Sequence, residues 1–282
     1  MPIHETSYLF WEGSVLERPR AWLVIARTGI RLVWNKFVVG LLFAATIPFL
    51  VRTVQIYLAS QIPDDGDLAA LGSVIKVDAA LFMNFMRDQL FILFIMLAYC
   101  GAGLIANDRR YKALSLYFSR PVSFWDYVTG KFLVLFFYGS IVTIVPALML
   151  FVVQLFVTRE AGFFADFYWV PLSIIAQGVL ILIVLGGFML ALSAWARGVR
   201  SAIVAFFALI AIPAFIVELF QKYSDVGWIA ITRNLRQLSE LLYGRGAPYR
   251  YPVWAAVLSA LVVVALSIAV LRWRIKPTEV VK

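Results

Sequence analysis

The chain has 282 residues, 63% of them hydrophobic and 15% charged, with a mean hydropathy of +0.89. A soluble domain is about 25% charged and 45–50% apolar, so this composition excludes an ordinary soluble globule and points to the membrane class. The net charge of +9 sits on basic residues dispersed at the ends of apolar runs. It therefore reads as topology and contact with anionic lipid, and it argues against a nucleic-acid partner.

The first 36 residues carry Glu5, Glu12, Glu17 and five basic residues, with no small-residue cleavage pattern after them. This is not the layout of a secretory signal, and the first span is expected to act as an uncleaved insertion signal. Within this segment Arg20, Arg27 and Arg31 fall seven and four residues apart and share one helical face, while Trp22 and Trp34 lie on others. That is the pattern of a helix lying in the membrane interface, with Pro19 suited to its first turn.

Six runs are apolar and long enough for a hydrocarbon core of about 30 Å, which takes about 20 residues. They are placed near 37–58, 90–106, 132–158, 167–196, 201–220 and 252–271. All six are expected to be helices, because lipid leaves the backbone no other partner and the alternation of barrel strands is missing. The expected fold is an all-α integral membrane protein, one domain over 1–282, without tandem or inverted repeats. Pro48, Pro146 and Pro213 fall inside spans and are expected to bend them.

The connection after span one opens with a turn-like QIPDDGD. It continues through Leu71, Val74, Ile75, Leu81, Phe82 and Phe85 at steps of three and four, which predicts a short amphipathic helix on the outer leaflet. The last outer connection carries Trp228, Ile231, Leu235, Leu238 and Leu242 at similar steps, closed by Gly244. This helix is too short and too charged to span. It caps the bundle or forms part of an outer gate, together with Glu218, an acid near the end of span five. Uncharged polar residues within spans (Thr46, Gln55, Thr143, Gln154, Ser173, Gln177 and Ser193) either bond neighbouring helices or line a path.

The loop from Asp108 to Lys131 is dense in charge and aromatics between two nearly uncharged spans. Asn107-Asp108 suits a helix cap, Arg120-Pro121 a break, and Ser123 the cap of a second short helix from Phe124 to Thr129. Helix, break and helix make a rigid protrusion for contact outside the lipid.

Several chemistries are missing. There is no phosphate-binding glycine loop followed by Lys and Ser or Thr, no H-E-x-x-H, and no metal-spaced Cys/His set. Cys100 and His4 are the only residues of their kinds, so neither a disulfide within the chain nor a His-based metal cluster is available. No enzyme activity, metal or bound cofactor is expected of this chain. With both termini in the cytoplasm, sixteen basic residues lie inside and nine outside, the distribution that the positive-inside rule favours.

The segment Ile105-Ala-Asn-Asp108-Arg109-Arg-Tyr-Lys-Ala-Leu114, followed by Arg120-Pro121-Val122-Ser123 and Gly130-Lys131, resembles ABC-2 type permeases of ABC transporters. Those proteins carry, after span two, roughly I-x-x-E-R-x-x-G-T-L-x-x-L-L-x-x-P-[VI]-S-R-x-x-x-x-x-G-K. Asp108 stands where Glu is usual, Lys112-Ala113 where Gly-Thr is usual, and Phe124 where Arg is common. The segment with Arg20, Trp22, Arg27, Arg31 and Trp34 resembles the family's interfacial elbow helix, and Arg197 with Arg200 falls in its second inner loop. The resemblance implies a separate ATPase subunit that binds ATP and Mg. It would dock on a cytoplasmic coupling helix built from Asp108, Arg109, Arg110, Tyr111, Leu114, Arg120, Pro121, Phe124 and Asp126. It also implies pairing with a second permease copy or a paralogue, an exporter in the cell inner membrane, and outer gate elements near Glu218, Trp228, Leu235 and Leu238. The competing readings are an ATP-independent secondary transporter or channel, or a membrane assembly scaffold.

Overall fold

The computed structural model describes residues 20–61, 78–118, 122–157, 166–220 and 226–275. Every regular element among them is helical. Six helices or helix pairs are long and apolar enough to cross a membrane: Lys36–Ala59, Leu90–Arg110, Phe124–Val157, Val170–Trp195, Val199–Phe220 and Val253–Arg274.

Helix α1 (Ala21–Val33) precedes the first span, α2 (Lys36–Ala59). The chain turns between them at Asn35, whose Oδ1 accepts from the amides of Phe37 and Val38 at 3.0 Å. That cap satisfies two of the four amides a helix start leaves unpaired. α3 (Ala79–Asp88) begins under an Asp78 cap and leads through Gln89 into α4 (Leu90–Arg110), the second span. A short α5 (Ala113–Phe118) follows, and then α6 (Phe124–Val142) and α7 (Ile144–Val157), which together make span three.

Span four is α8 (Val170–Ile181), a π-helical turn at Leu182–Gly186, and α9 (Gly187–Trp195). Span five is α10 (Val199–Phe220). A 3₁₀ turn at Val226–Ile229 and α11 (Ile231–Leu242) come next, and α12 (Val253–Arg274) is span six.

Spans two and four form the centre, with 56% and 61% of their apolar stretches buried, against 11–17% for spans one, five and six. α4 packs on α6, α9 and α10, and α9 packs on α12. The outer helices therefore turn broad apolar faces away from the bundle, toward lipid or another chain.

α3 is a short helix following span one: its Leu81, Phe82, Met83, Phe85 and Met86 are buried against α7 and α8, while Leu71, Val74 and Ile75 lie outside the described residues. Two expectations change. Asn107-Asp108 does not cap a new helix, because α4 runs on to Arg110. No separate helix covers 124–129, since α6 is continuous from Phe124 to Val142. In both of these cases the charged residues find intramolecular partners, so the helix outlasts the apolar pattern. Of the three prolines, Pro48 and Pro213 sit inside unbroken helices, while Pro146 follows a break at Thr143. Pro146 has no N–H to continue the ladder, and the Thr143 hydroxyl bonds back to Gly139 O at 2.8 Å.

Candidate functional site

The segment between spans two and three is clamped at its root. Asp108, on the last turn of α4, pairs with Lys131 of α6 at 2.7 Å, and both side chains are largely buried. The Tyr127 hydroxyl donates to the same carboxylate at 2.7 Å. The Lys131 ammonium lies 5.6 Å from the ring of Tyr117 and 5.5 Å from that of Tyr127, and those two rings meet edge to face. Tyr117 belongs to α5, so one buried ion pair ties the short helix to the ends of both spans. Burial, and secondarily the Asp108 charge, push the Tyr117 phenol above its ordinary range, which keeps it neutral.

Between α4 and α5 the backbone reverses at Lys112, with φ of 56°. A left-handed conformation disfavours any residue with a Cβ, and this is the position where the resembling motif has Gly. After α5, Ser123 and Asp126 form a reciprocal cap: the Asp126 amide donates to Ser123 Oγ at 3.0 Å, and the Ser123 amide to Asp126 Oδ2 at 3.1 Å. Asp126 is thereby occupied in starting α6.

The same end of the bundle gathers three other pieces. Arg109 donates to the Ala194 carbonyl at the end of α9. Ser193 Oγ donates to Ala102 O at 2.8 Å and accepts from the amides of Ile105 and Ala106 at 3.1 Å. The bend at 196–198, which carries exposed Arg197 and is followed by exposed Arg200, is thus fastened to α4. Arg274 of α12 reaches Trp195 O at 3.3 Å, and Arg272 sits over the Trp125 ring at 5.1 Å.

α1 lies along α6 with almost no gap. A Cβ on Gly130 would fall 2.8 Å from the Trp22 carbonyl oxygen and from Ile25, and one on Gly29 would fall 2.6 Å from Val134. The Tyr138 hydroxyl donates to Ile30 O at 2.8 Å, and Asn35 donates to Tyr99 at 2.7 Å. Arg20, Arg27, Arg31 and Trp34 face outward, and Trp22 is half-buried.

The predicted docking residues therefore divide. Arg110 and Tyr111 are exposed, as is Leu116 of the same loop. Leu114 and Phe124 are half-buried against the core. Asp108, Arg109 and Asp126 are engaged internally. Arg120 and Pro121 lie outside the described residues. Lys131 and Tyr127 were missed as members of the cluster. The only signal for them was the Lys that closes the motif, and its partner is 23 positions away along the chain.

At the opposite end, Glu218 pairs with Arg233 at 2.7 Å. Leu235 is buried, Leu238 half-buried and Trp228 half-exposed. α11 is held by Ser173 Oγ to Leu242 O at 2.7 Å, Asn234 to Trp228 O at 2.7 Å and Gln237 to Tyr251 O at 3.0 Å. Among the described residues no three His, Cys, Asp or Glu side chains come together as metal ligands.

Residues 74–270 match the family described as ABC-2 family transporter protein. No curated protein matches the chain. The match takes in the whole clamped segment, α11, spans two to five and most of span six. The chain belongs to the ABC-2 family of transporter membrane proteins and is a multi-pass permease subunit of an ABC transporter.

Proposed function

We propose that this chain, acting as one transmembrane unit over 1–282, forms half of the translocation pathway of an ATP-driven exporter in the cell inner membrane. The end carrying α5 faces the cytoplasm and docks a separate ATPase subunit, which holds ATP and Mg. A second copy, or a related permease, completes the pathway. α1 is the interfacial elbow, α5 is the coupling helix, and Arg197 and Arg200 form the second inner contact. Glu218, Trp228, Leu235 and Leu238 belong to the outer gate.

The observation that carries this reading is the build of α5. Its root is locked to two spans by the Asp108–Lys131 pair, while Tyr111 and Leu116, at 72% and 71% exposure, stand outward. A push on α5 is therefore passed to α4 and α6 as a rigid displacement instead of being lost in a loose loop. Family membership implies the ATPase subunit, and the orientation follows from the basic residues collected at this end.

The test is co-purification of the ATPase subunit with the native chain and with Tyr111→Asp/Leu116→Asp. The variant is expected to lose the partner while keeping its own thermal stability. Reconstituted vesicles with the ATPase outside are expected to accumulate substrate only with ATP and Mg. Equal partner recovery by both chains would overturn the docking role of α5, and substrate movement that needs no ATP would overturn the transporter reading.

A further inference from the structure

A cavity of about 220 Å³ opens at the end of the bundle opposite α5, between α3, the start of α4, α8 and α11. Its floor is apolar, made by Met83, Leu90, Ile181 and Leu235, and its rim carries Arg87, Arg233 and Arg236. A volume below the usual range of about 300–1,000 Å³ for drug-sized pockets suits a headgroup and not a whole bulky substrate.

The rim is preorganised. Arg233 and Arg236 both lie over the Tyr249 ring, at 5.4 and 5.8 Å, and Tyr249 stacks on the buried Tyr251. Arg233 is matched by Glu218 at 2.7 Å and Arg236 by Glu240 at 3.7 Å, and Glu240 is shared with Arg245. Arg87 has no acidic partner among the described residues, because the adjacent Asp88 turns to Arg52. The cavity therefore presents uncompensated positive charge above an apolar surface.

A second feature points to a ligand. Gln177, in the middle of α8, lines the cavity at 3% exposure, and its Oε1 has no hydrogen-bond partner. Buried amide oxygens are nearly always satisfied, so an unpaired acceptor beside a cationic rim fits a guest that brings its own hydroxyl.

We propose that this cavity binds a hydroxyl-bearing phosphate ester of the phosphoglycerol type. Arg87 and Arg236 hold the phosphate, Gln177 accepts from the hydroxyl, and any acyl chain leaves along the apolar side. This goes beyond the docking function and lies at the other end of the molecule, so failure of either proposal leaves the other standing.

The experiment follows thermal unfolding of the full-length chain in neutral detergent. The additives are short-chain phosphatidylglycerol, short-chain phosphatidylcholine, short-chain phosphatidic acid and soluble glycerol phosphate, with phosphatidylglycerol expected to protect the native chain more than phosphatidic acid. Ligand that binds only the folded state raises the melting temperature with concentration. The expected result is protection by phosphatidylglycerol beyond that by phosphatidylcholine, with apparent affinity lowered about tenfold or more in Arg87→Gln/Arg236→Gln and unchanged in Lys36→Gln.

Arg87→Gln alone removes an exposed side chain without an acidic partner. Its ligand-free melting temperature is expected to stay at the native value, which keeps the test readable if the double variant folds poorly. Gln177→Leu is expected to abolish the preference for phosphatidylglycerol over short-chain phosphatidic acid. Equal protection by glycerol phosphate would identify a free ester as the source, and protection by the lipid alone would identify a membrane headgroup. Equal shifts from phosphatidylglycerol and phosphatidylcholine, or a phosphatidylglycerol-specific shift that survives in both arginine variants, would overturn the proposal.

Discussion

At the residue scale, Asp108 and Lys131 illustrate how a membrane protein tolerates charge at the edge of its bundle. Both are largely buried, each is matched by the other, and Tyr127 adds a hydrogen bond to Asp108. Removing one partner leaves the other charge buried and unmatched, which typically costs about 3–5 kcal/mol, whereas replacing both by apolar groups is often close to neutral. Lys131→Met is therefore expected to lower the melting temperature in detergent far more than Asp108→Leu/Lys131→Met. A double-variant loss equal to the sum of the single losses would show that the pair is not coupled. Lys112 gives the opposite sign. Its φ of 56° is disfavoured for a side chain with a Cβ by about 1 kcal/mol or more. Lys112→Gly is expected to stabilise the chain by up to that amount and Lys112→Val to destabilise it, read from the same melting curves.

Helix ends and contacts decide the element scale. The Ser123–Asp126 cap starts α6 at Phe124. Ser123→Ala is expected to cost about 1 kcal/mol and to loosen the start of α6, seen as faster amide exchange over 124–127 with the centre of α6 unchanged. The close approach of α1 to α6 is a second dependence. At Gly130 the obstacle is the Trp22 backbone carbonyl as well as the Ile25 side chain, and a carbonyl cannot rotate away as a side chain can. Gly130→Leu is expected to displace α1 bodily, breaking the bond from Tyr138 to Ile30 O. A cysteine pair at Gly29 and Val134, where an added Cβ would lie 3.8 Å from the Val134 Cβ, is expected to crosslink in the native background and to fail in this variant. The α1–α6 contact was not legible beforehand. The spacing of Arg20, Arg27 and Arg31 marks which face of α1 is polar, but nothing in it says which helix the other face will meet.

At the scale of the whole molecule, the bend at 196–198, α5 and the end of α12 share one end, while α11 and Tyr249 share the other. With Cys100 buried in span two, the native chain offers little background to a membrane-impermeant thiol reagent. Arg197→Cys and Arg250→Cys are both at exposed positions, and labelling of intact cells is expected to reach Arg250→Cys and to reach Arg197→Cys only after permeabilisation. Labelling of both from outside would sink the proposed orientation.

Hydropathy alone was enough for the number and approximate bounds of the spans, because about 20 apolar residues in lipid have no alternative to a helix. The stop at Gly244, the Ser123 cap and the stripe of α11 were equally local, and so was the loop motif that resembles the family. What needed the tertiary structure were relations between distant positions. Asp108 continues a helix because Lys131 is beside it, α3 is buried because α7 and α8 cover it, and Gln177 faces a cavity because α11 folds back over the bundle. A pattern of polarity states how much of a helix can be buried, but only packing decides which neighbour buries it and which charges are left to meet a ligand.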